Sequence, residues 1–516
     1  MLIGTVLYLT LALLYLDRWP GLGFDEGCFA NPALNLLRDG NFGSSTMKGV
    51  FSMDTVTFWI LPLHSLLLAI PDKLFGFSYW TGRALNVFWG LLTVLMAYRL
   101  ALLAGASRRA ALWLLFFLGS DYALIHLSRS GRMEPLLAFL HASVLVCLMQ
   151  GAAKKDSRLV FLAGVLTGAA LLTHPLGALS VLAFLILVLG ATGNASDQPR
   201  WKYMVRPARL FAFGAFLICL PYAVYVSRHG VGEFYQQMVV YQHYCYKMMN
   251  LSDHPVPHAQ ALWKEMTGSV TGKFFVLKVL LLCLLCWPIR GARKLVLLSF
   301  VYALILGFLW PGVELIYWIP TFYVTLAVCA AAGMPSNLPA REGTNWGRVM
   351  RIAAPTLCLC VIAANLTGLT LKLAQNRLDD NRKYLGQLHS LVAANLPPGN
   401  TIVGDPTYLF ALPDYDLRSF LVVRTKMDLD ALTWRQALAE VSPRIILMDD
   451  TLASGLWPAF EAPPDGLRTY LIHNARFLGA VGPGPHWPRG PIEVYQIDPR
   501  IFTIDTPNHK TSTGGE

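Results

Sequence analysis

The sequence predicts a polytopic α-helical membrane protein with a small extracytoplasmic α/β domain at its carboxy-terminal end. Of the 516 residues, 55% are hydrophobic and only 14% are charged, whereas charged residues make up about a quarter of a typical soluble domain. The mean hydropathy is +0.47. This composition excludes an intrinsically disordered chain, and nine cysteines are too few for a disulfide-rich scaffold of this length.

Long apolar runs divide the first three quarters of the chain into candidate membrane spans. A bilayer core needs about 20 apolar residues per helix, and short spans occur where helices break. Eleven runs qualify: 2–16, 79–103, 110–127, 135–149, 159–173, 176–189, 210–226, 274–287, 295–310, 317–332 and 352–373. No basic segment precedes the first run and no small-residue cleavage site follows it, so we expect it to be retained.

The distribution of Lys and Arg predicts the orientation in the membrane. Basic clusters lie in the connections around residues 108–109, 154–158, 200–209, 290–294 and 341–351. All of them fall on the cytoplasmic side if the chain breaks into two short helices at His174-Pro175 and the apolar run 56–70 lies in the plane of the outer face. The net charge of +11 then reflects topology, and no nucleic-acid partner is expected.

The same assignment of spans places the amino terminus in the cytoplasm and the carboxy terminus outside. Two long outer loops follow, 17–78 and 228–273. We expect a transmembrane domain over 1–373, an extracytoplasmic α/β domain over 374–505 and a disordered tail over 506–516. Within the α/β domain, the pattern predicts helices at 376–395 and 429–441, and strands at 401–404, 420–423 and 445–448.

Two adjacent carboxylates, Asp25 and Glu26, begin the first outer loop, and Lys48 and Asp54 follow in the same loop. Such an acidic pair is compatible with catalysis. The alternative is a solvated helix start, because acids are favourable at a helix N-terminus.

The short turn between the third and fourth spans carries Arg129, Arg132 and Glu134 at the outer membrane edge. Charge is unfavourable there unless it serves a site or reaches water. Arginine suits a phosphate group because its planar guanidinium binds two oxygens at once. The alternative is that both arginines are interfacial anchors that pair with Glu134. Asp25 and Glu134 lie on the same predicted side, so we expect them to converge in one cleft.

These features resemble the GT-C membrane glycosyltransferases. The resemblance lies in Phe24-Asp25-Glu26, in the stretch from Gly82-Arg83 to Tyr98, and in Ser128 to Glu134, and in hydropathy it extends to residue 373. The group with the greatest similarity contains the protein O-mannosyltransferases, the lipid A aminoarabinose transferases and the rhizobial lipopolysaccharide galacturonosyltransferases. The resemblance implies transfer of a sugar from a polyprenyl-phosphate donor to a lipid, glycan or protein acceptor at the outer face of the bacterial inner membrane.

The resemblance also implies roles for individual residues. Asp25 matches the general base, Glu26 is its neighbour, and Glu134 matches a second acid that is Asp in many relatives. Arg129 and Arg132 match residues that contact the carrier phosphate. Relatives often carry a Lys and a Pro-Pro pair before the second span. This chain has Asp54 there but neither of these features, so Lys48 is the candidate for the missing cation.

Weaker candidates complete the set. Asp54, Arg83 and Glu314 are candidates for contact with substrate. The outer histidines at 243, 254 and 258 fit no compact metal motif, and we expect no metal cofactor, although acids such as Asp25 and Glu26 could hold a divalent cation. Cys28 and Cys245 are the only cysteines predicted on the outer side, so a disulfide between them is an open alternative.

Two other functions fit a basic polytopic chain in contact with membrane lipids. A transporter or lipid flippase is disfavoured because we find no internal repeat and almost no charge in the middle of the predicted spans. A non-catalytic assembly subunit, whose outer α/β domain binds a partner, predicts that Asp25 is dispensable.

Overall fold

The structure is a computed structural model of the chain. It describes residues 1–188, 200–248, 264, 268, 270–286, 293–308, 317–334, 345–449, 466–482 and 490–502. Its contacts group the chain into two compact units. We call the first the helical unit, formed by Met1–Pro20 and Phe58–Asn376, and the second the α/β unit, formed by Gly21–Thr57 and Arg377–Glu516.

The helical unit is built from apolar helices. In chain order they are α1 Leu2–Leu13, and then, after α2 of the other unit (Phe24–Asp39), α3 Pro62–Phe75, α4 Tyr79–Leu103, α5 Arg108–Gly119, α6 Tyr122–Ser128, α7 Glu134–Lys154, α8 Ser157–Leu171, α9 Leu179–Val188, α10 Arg200–His229, α11 Val231–Tyr235, α12 Gln242–Met248, α13 Val270–Cys286, α14 Arg293–Phe308, α15 Val324–Gly333 and α16 Asn345–Gln375. Two π-helical segments, Gln236–Tyr241 and Ile319–Tyr323, adjoin α12 and α15.

Four helical segments among the described residues are long and apolar enough to cross a membrane. They are Tyr79–Leu103, Glu134–Lys154, Val205–His229 and Pro355–Ala393. A fifth span is formed if α5 and α6, which are bent by 58° relative to each other, count as one. Shorter apolar helices include α1, α8 and the segments Pro175–Val188 and Ile319–Gly333. The count of eleven spans and the orientation remain predictions.

The break predicted at His174-Pro175 is present. Helix α8 ends at Leu171, and a 3-10 helix, Pro175–Ala178, precedes α9. The His174 ring caps that 3-10 helix, because its Nδ1 accepts a hydrogen bond of 3.0 Å from the Leu176 amide. Pro175 lacks an amide hydrogen and cannot continue a regular ladder, which explains why one apolar stretch forms two short helices.

A buried ion pair crosses the interior of the helical unit at the α5–α6 bend. The carboxylate of Asp121 accepts hydrogen bonds from the amides of Ala123 and Leu124 at 2.9 and 3.0 Å, and so caps α6. It also binds the Lys278 ammonium and accepts a hydrogen bond of 2.7 Å from the Tyr323 hydroxyl. Both charged side chains are at most 2% exposed. Because Asp121 and Lys278 fall inside predicted spans, the expectation of an almost uncharged membrane interior fails here.

The α/β unit contains a five-stranded mixed sheet. Its strands are β1 Thr401–Gly404, β2 Asp416–Ser419, β3 Ile445–Met448, β4 Arg476–Val481 and β5 Ile492–Gln496, in the order β2-β1-β3-β5-β4. The pairs β1–β2 and β1–β3 are parallel, whereas β5 pairs antiparallel with β3 and β4. Helices α17 Asn381–Ala393, α18 Phe420–Leu429, α19 Trp434–Val441 and α20 Leu467–Asn474 accompany the sheet.

One predicted strand of this unit is wrong. Residues 420–423 form the first turn of α18, and the strand is the preceding segment, β2. The Ser419 hydroxyl accepts a hydrogen bond of 3.1 Å from the Leu421 amide and starts the helix. Four buried apolar residues in a row do not distinguish a helix from a strand. Cys28 lies on α2 of the α/β unit and Cys245 on α12 of the helical unit, and the disulfide between them stays an open alternative.

Candidate active site

The acidic pair lies in the first turn of α2, and the two carboxylates differ in their surroundings. Glu26 is 2% exposed, and its Oε1 accepts a hydrogen bond of 3.0 Å from the Gly23 amide. The Glu26 amide donates in return to the Gly23 carbonyl at 3.0 Å. Asp25 is half-buried. Glu26 therefore caps the start of its own helix. Asp25 is the acid that substrate can reach more readily.

Lys48 and Asp54 follow in the same unit. The Lys48 ammonium lies 3.8 Å from Oδ2 of Asp416 and is 48% exposed. Asp54 is half-buried and follows Phe51 and Ser52, whose φ angles of 44° and 55° are in the left-handed region. That conformation is unfavourable for a bulky side chain, and strained residues of this kind cluster at functional sites. Lys48 is already paired, which does not favour its predicted role toward a phosphate.

Arg83 and Arg129 both bind backbone carbonyls at the end of α1 or in the turn that follows it. The Arg129 Nε and Nη atoms donate to the carbonyls of Leu11, Ala12, Leu14, Tyr15 and Trp19, at 2.7 to 3.1 Å. Arg83 Nη1 donates to the carbonyls of Leu16 and Pro20 at 3.0 and 2.9 Å. Both side chains are 0% exposed. Arg129 satisfies two carbonyls that the end of α1 leaves without helical partners, and both arginines bind carbonyls of the turn that follows. This arrangement supports a structural role rather than contact with phosphate or substrate.

Arg132 and Glu134 form the ion pair of the turn before α7. Arg132 Nη2 lies 2.7 Å from Glu134 Oε1, and Nε donates to both carboxylate oxygens at 3.2 Å. The Glu134 side chain is 0% exposed and that of Arg132 is 13% exposed. Asn86 of α4 fixes the turn by donating to the carbonyls of Ser130 and Arg132. Of the three arginines, Arg132 alone keeps exposed surface beside a carboxylate.

Two histidines that the sequence did not single out as site residues lie within electrostatic range of Glu134. His64 on α3 is 0% exposed and His174 is 4% exposed, and both interact with the Glu134 carboxylate. The Leu63 amide donates to the Leu172 carbonyl at 2.9 Å, which joins the start of α3 to the segment before His174. Burial lowers the pKa of His64 to about 4, although Glu134 opposes this shift. His64 is therefore neutral at physiological pH and can serve as a hydrogen-bonding group.

Asp72, near the end of α3, is a buried carboxyl that no predicted role uses. Burial raises its pKa to about 7, against the opposing hydrogen bonds from Thr81 and Ser78. The unfolded chain has a value near 3.9, so the folded protein binds more protons between these values. The contribution of Asp72 to the free energy of unfolding is therefore complete below about pH 4 and is lost as the pH rises toward about 7.

We expect this group to make folding pH-dependent. The thermal midpoint of the purified wild type should decrease as the pH is raised from 5 to 8. Asp72→Asn stays neutral and still accepts the Thr81 hydrogen bond, so its thermal midpoint should depend less on pH. The control is Asp39→Asn, an exposed acid paired with Arg38, whose profile should follow the wild type. A slope in Asp72→Asn equal to that of the wild type contradicts the assignment.

The remaining candidate, Glu314, lies outside the described residues. Within the helical unit the structure brings together Arg132 with Glu134, and Arg83 with Arg129 at the end of α1. Within the α/β unit it places Asp25 and Glu26 in one helical turn.

The fold matches solved membrane glycosyltransferases over nearly the whole chain. ArnT from Cupriavidus metallidurans in the apo state has a TM-score of 0.62 and 16% sequence identity, and the match covers 96% of this chain and 97% of that chain. The Archaeoglobus fulgidus oligosaccharyltransferase in the apo form has a TM-score of 0.61 and 13% identity, over 95% of this chain and 74% of that chain. The chain has the GT-C fold.

The GT-C resemblance seen in the sequence is thereby confirmed as a resemblance of fold. A second structure of Cupriavidus metallidurans ArnT, bound to undecaprenyl phosphate, has a TM-score of 0.59 and 16% identity, over 96% of this chain and 97% of that chain. Residues 55–232 match the family model described as dolichyl-phosphate-mannose-protein mannosyltransferase. This region contains Arg132, Glu134, His64 and His174, and begins after the acidic pair. A search of curated protein sequences found no match.

Proposed function

We propose that this protein is an integral membrane glycosyltransferase that moves a sugar from a polyprenyl-phosphate donor to an acceptor on the extracytoplasmic face. The observation that carries the proposal is the GT-C fold, shared over 96% of the chain with a protein that was solved bound to undecaprenyl phosphate. The acceptor class is a lipid, a glycan or a protein. The orientation follows from the distribution of basic residues.

The proposed reaction needs a base for the acceptor and a cation for the leaving phosphate. Asp25 takes the proton from the acceptor hydroxyl or amine, and the acceptor atom attacks the anomeric carbon. The bond between that carbon and the phosphate oxygen breaks, and polyprenyl phosphate leaves with the electron pair. One base opposite the leaving group implies inversion. A general base contributes typically 10²–10⁴-fold, and a cation at the leaving phosphate stabilises the developing charge.

Arg132 is the residue we assign to the leaving phosphate. It retains exposed surface, and its pair with Glu134 through Nε and Nη2 fixes the plane of the guanidinium. Arg129 and Arg83 are buried against backbone carbonyls and are not assigned to substrate. Glu134 orients Arg132, and Glu26 supports the helix that carries Asp25.

A donor-binding measurement tests the Arg132 assignment. Arg132→Lys keeps the positive charge beside buried Glu134 but loses the planar fork, so we expect about tenfold weaker binding of undecaprenyl phosphate, consistent with the loss of one charge-assisted hydrogen bond. The control is Arg99→Lys, a change at an exposed arginine near the end of α4, and this variant should bind undecaprenyl phosphate as the wild type does. Equal affinities in both variants would remove Arg132 from the phosphate site.

The function itself is tested with purified protein in detergent. Labelled sugar from a crude polyprenyl-phosphate-sugar pool should appear on an acceptor, with and without EDTA, since we propose a metal-independent reaction. Lipid movement between vesicle leaflets without sugar transfer would favour a flippase. The charged pair Asp121–Lys278 within predicted spans is one observation in favour of a flippase. The hydrogen bonds of Asp121 to α6 and Tyr323, however, make it a structural pair.

A further inference from the structure

The α/β unit joins two stretches that lie far apart in the sequence: the loop with the acidic pair and the carboxy-terminal residues. Gly27, two residues after Asp25, lies against the 3-10 helix Pro406–Phe410. A Cβ atom at Gly27 would lie 2.2 Å from the Pro406 carbonyl oxygen and 2.6 Å from the Thr407 nitrogen. These neighbours are backbone atoms, so they cannot move aside as a flexible side chain can. The first turns of α2 therefore rest directly on the segment that follows β1.

Further contacts continue this attachment along the loop. The guanidinium of Arg38, at the end of α2, donates to the Pro413 carbonyl at 3.0 Å. Lys48 pairs with Asp416 at 3.8 Å, the first residue of β2. The same carboxylate is held by Arg418 at 2.8 Å and by Thr401 at 3.0 Å. The loop is thus attached near both ends to the parallel half of the sheet.

The surface beneath Gly27 is itself fixed by hydrogen bonds. Asp405 follows β1 directly and accepts from the Thr407 amide and hydroxyl at 2.9 and 2.6 Å. Tyr408 donates to Asp449, which follows β3. The carboxyl ends of parallel strands are where open α/β sheets commonly bind ligands. In this unit the segment at that edge supports the helix that carries Asp25.

We propose that the carboxy-terminal α/β residues position Asp25 for catalysis, and that Gly27 is a positioning residue because only a glycine permits the contact with Pro406. This inference rests on the proposed function. A displacement of about 1 Å can lower a rate about 10²-fold, so a side chain at position 27 should act on turnover. Donor binding, which we assign to Arg132 in the helical unit, should stay unchanged.

The test compares Gly27→Ala with Gly386→Ala. Gly386 lies in helix α17 of the same unit, and a Cβ there meets nothing within 4 Å. We expect Gly27→Ala to lower kcat at least about tenfold while KM for the donor and the Kd of undecaprenyl phosphate stay within about twofold. Gly386→Ala should match the wild type. Arg38→Gln, an exposed change that removes the Pro413 contact, gives a second, milder decrease in kcat and guards against misfolding of Gly27→Ala.

Hydrogen exchange separates the inference from the proposed function. Amides of residues 24–27 should exchange faster in Gly27→Ala than in Gly386→Ala, whether or not transfer is detected. Unchanged exchange, or a kcat equal to that of Gly386→Ala, overturns the positioning role. A donor KM that rises in step with the loss of kcat overturns it as well. Absence of transfer by the wild type overturns the proposed function, and with it the catalytic part of this inference.

Discussion

Asp25→Asn is expected to lower sugar transfer by about 10²–10⁴-fold, the usual contribution of a general base. The amide keeps the size of the side chain and the start of α2, but it cannot accept the acceptor proton. Binding of undecaprenyl phosphate should remain at the wild-type value, because the phosphate contact is assigned to Arg132. Turnover of purified protein and carrier binding, measured on the same preparations, check both statements.

The control for this prediction is Asp39→Asn at the other end of α2. Asp39 is exposed and binds Nε and Nη2 of Arg38, whereas the Pro413 contact uses Nη1, so its replacement should leave transfer unaltered. Transfer by Asp25→Asn at the wild-type rate would remove Asp25 as the base and would favour the assembly-subunit alternative. Glu26→Gln gives a useful contrast, since loss of its charge at the helix start should affect the stability of α2 more than turnover.

Arg129→Lys is expected to destabilise the folded protein by at least about 3 kcal/mol, within the range found when a buried charged network loses a partner. Lysine reaches one or two carbonyls where Arg129 binds five. The Tyr15 carbonyl keeps the Arg18 and Trp19 amides as donors, but the other carbonyls would lose the guanidinium, at about 1–3 kcal/mol for each that is left buried without a donor. Thermal unfolding in detergent and the yield of monodisperse protein measure the loss.

Arg109→Lys is the matched control, because Arg109 is exposed at the start of α5. Its yield and thermal midpoint should equal those of the wild type. If Arg129→Lys folds normally and instead loses affinity for undecaprenyl phosphate, the predicted phosphate contact of Arg129 is restored and the capping role is wrong.

Some of the fold could be read from the sequence because local pattern and burial agree. Strands β1 and β3 match the predicted bounds, and the break at His174-Pro175 follows from the missing proline amide. The strand predicted at 420–423 is wrong because these four apolar residues are all buried in a helix, and a continuous apolar run does not distinguish a helix from a strand. The Ser419 cap was the available signal, since serine before an apolar run commonly starts a helix.

The site was harder to predict because a residue type does not reveal its partner. Arg129 and Arg132 look equivalent in the sequence, yet one binds backbone carbonyls more than a hundred residues away in the chain and the other binds a carboxylate two residues away. The role of Glu26 was partly visible, since an acid three residues after a glycine fits a helix start. No local pattern connects His64 or His174 to Glu134, because only tertiary packing brings them near it.

The Asp121–Lys278 pair has a consequence for biosynthesis. Its members are separated by 157 positions, so in the predicted topology Asp121 enters the membrane long before the ribosome has made its cation. An aspartate at the centre of a membrane helix costs about 2.5–3.5 kcal/mol on the insertion scale. The nascent chain is therefore destabilised by this amount until α13 has been synthesised and inserted. Chains truncated before Lys278 should be retained by the insertion machinery or degraded, whereas chains that extend past it can release α5 and α6 into the bilayer as a pair.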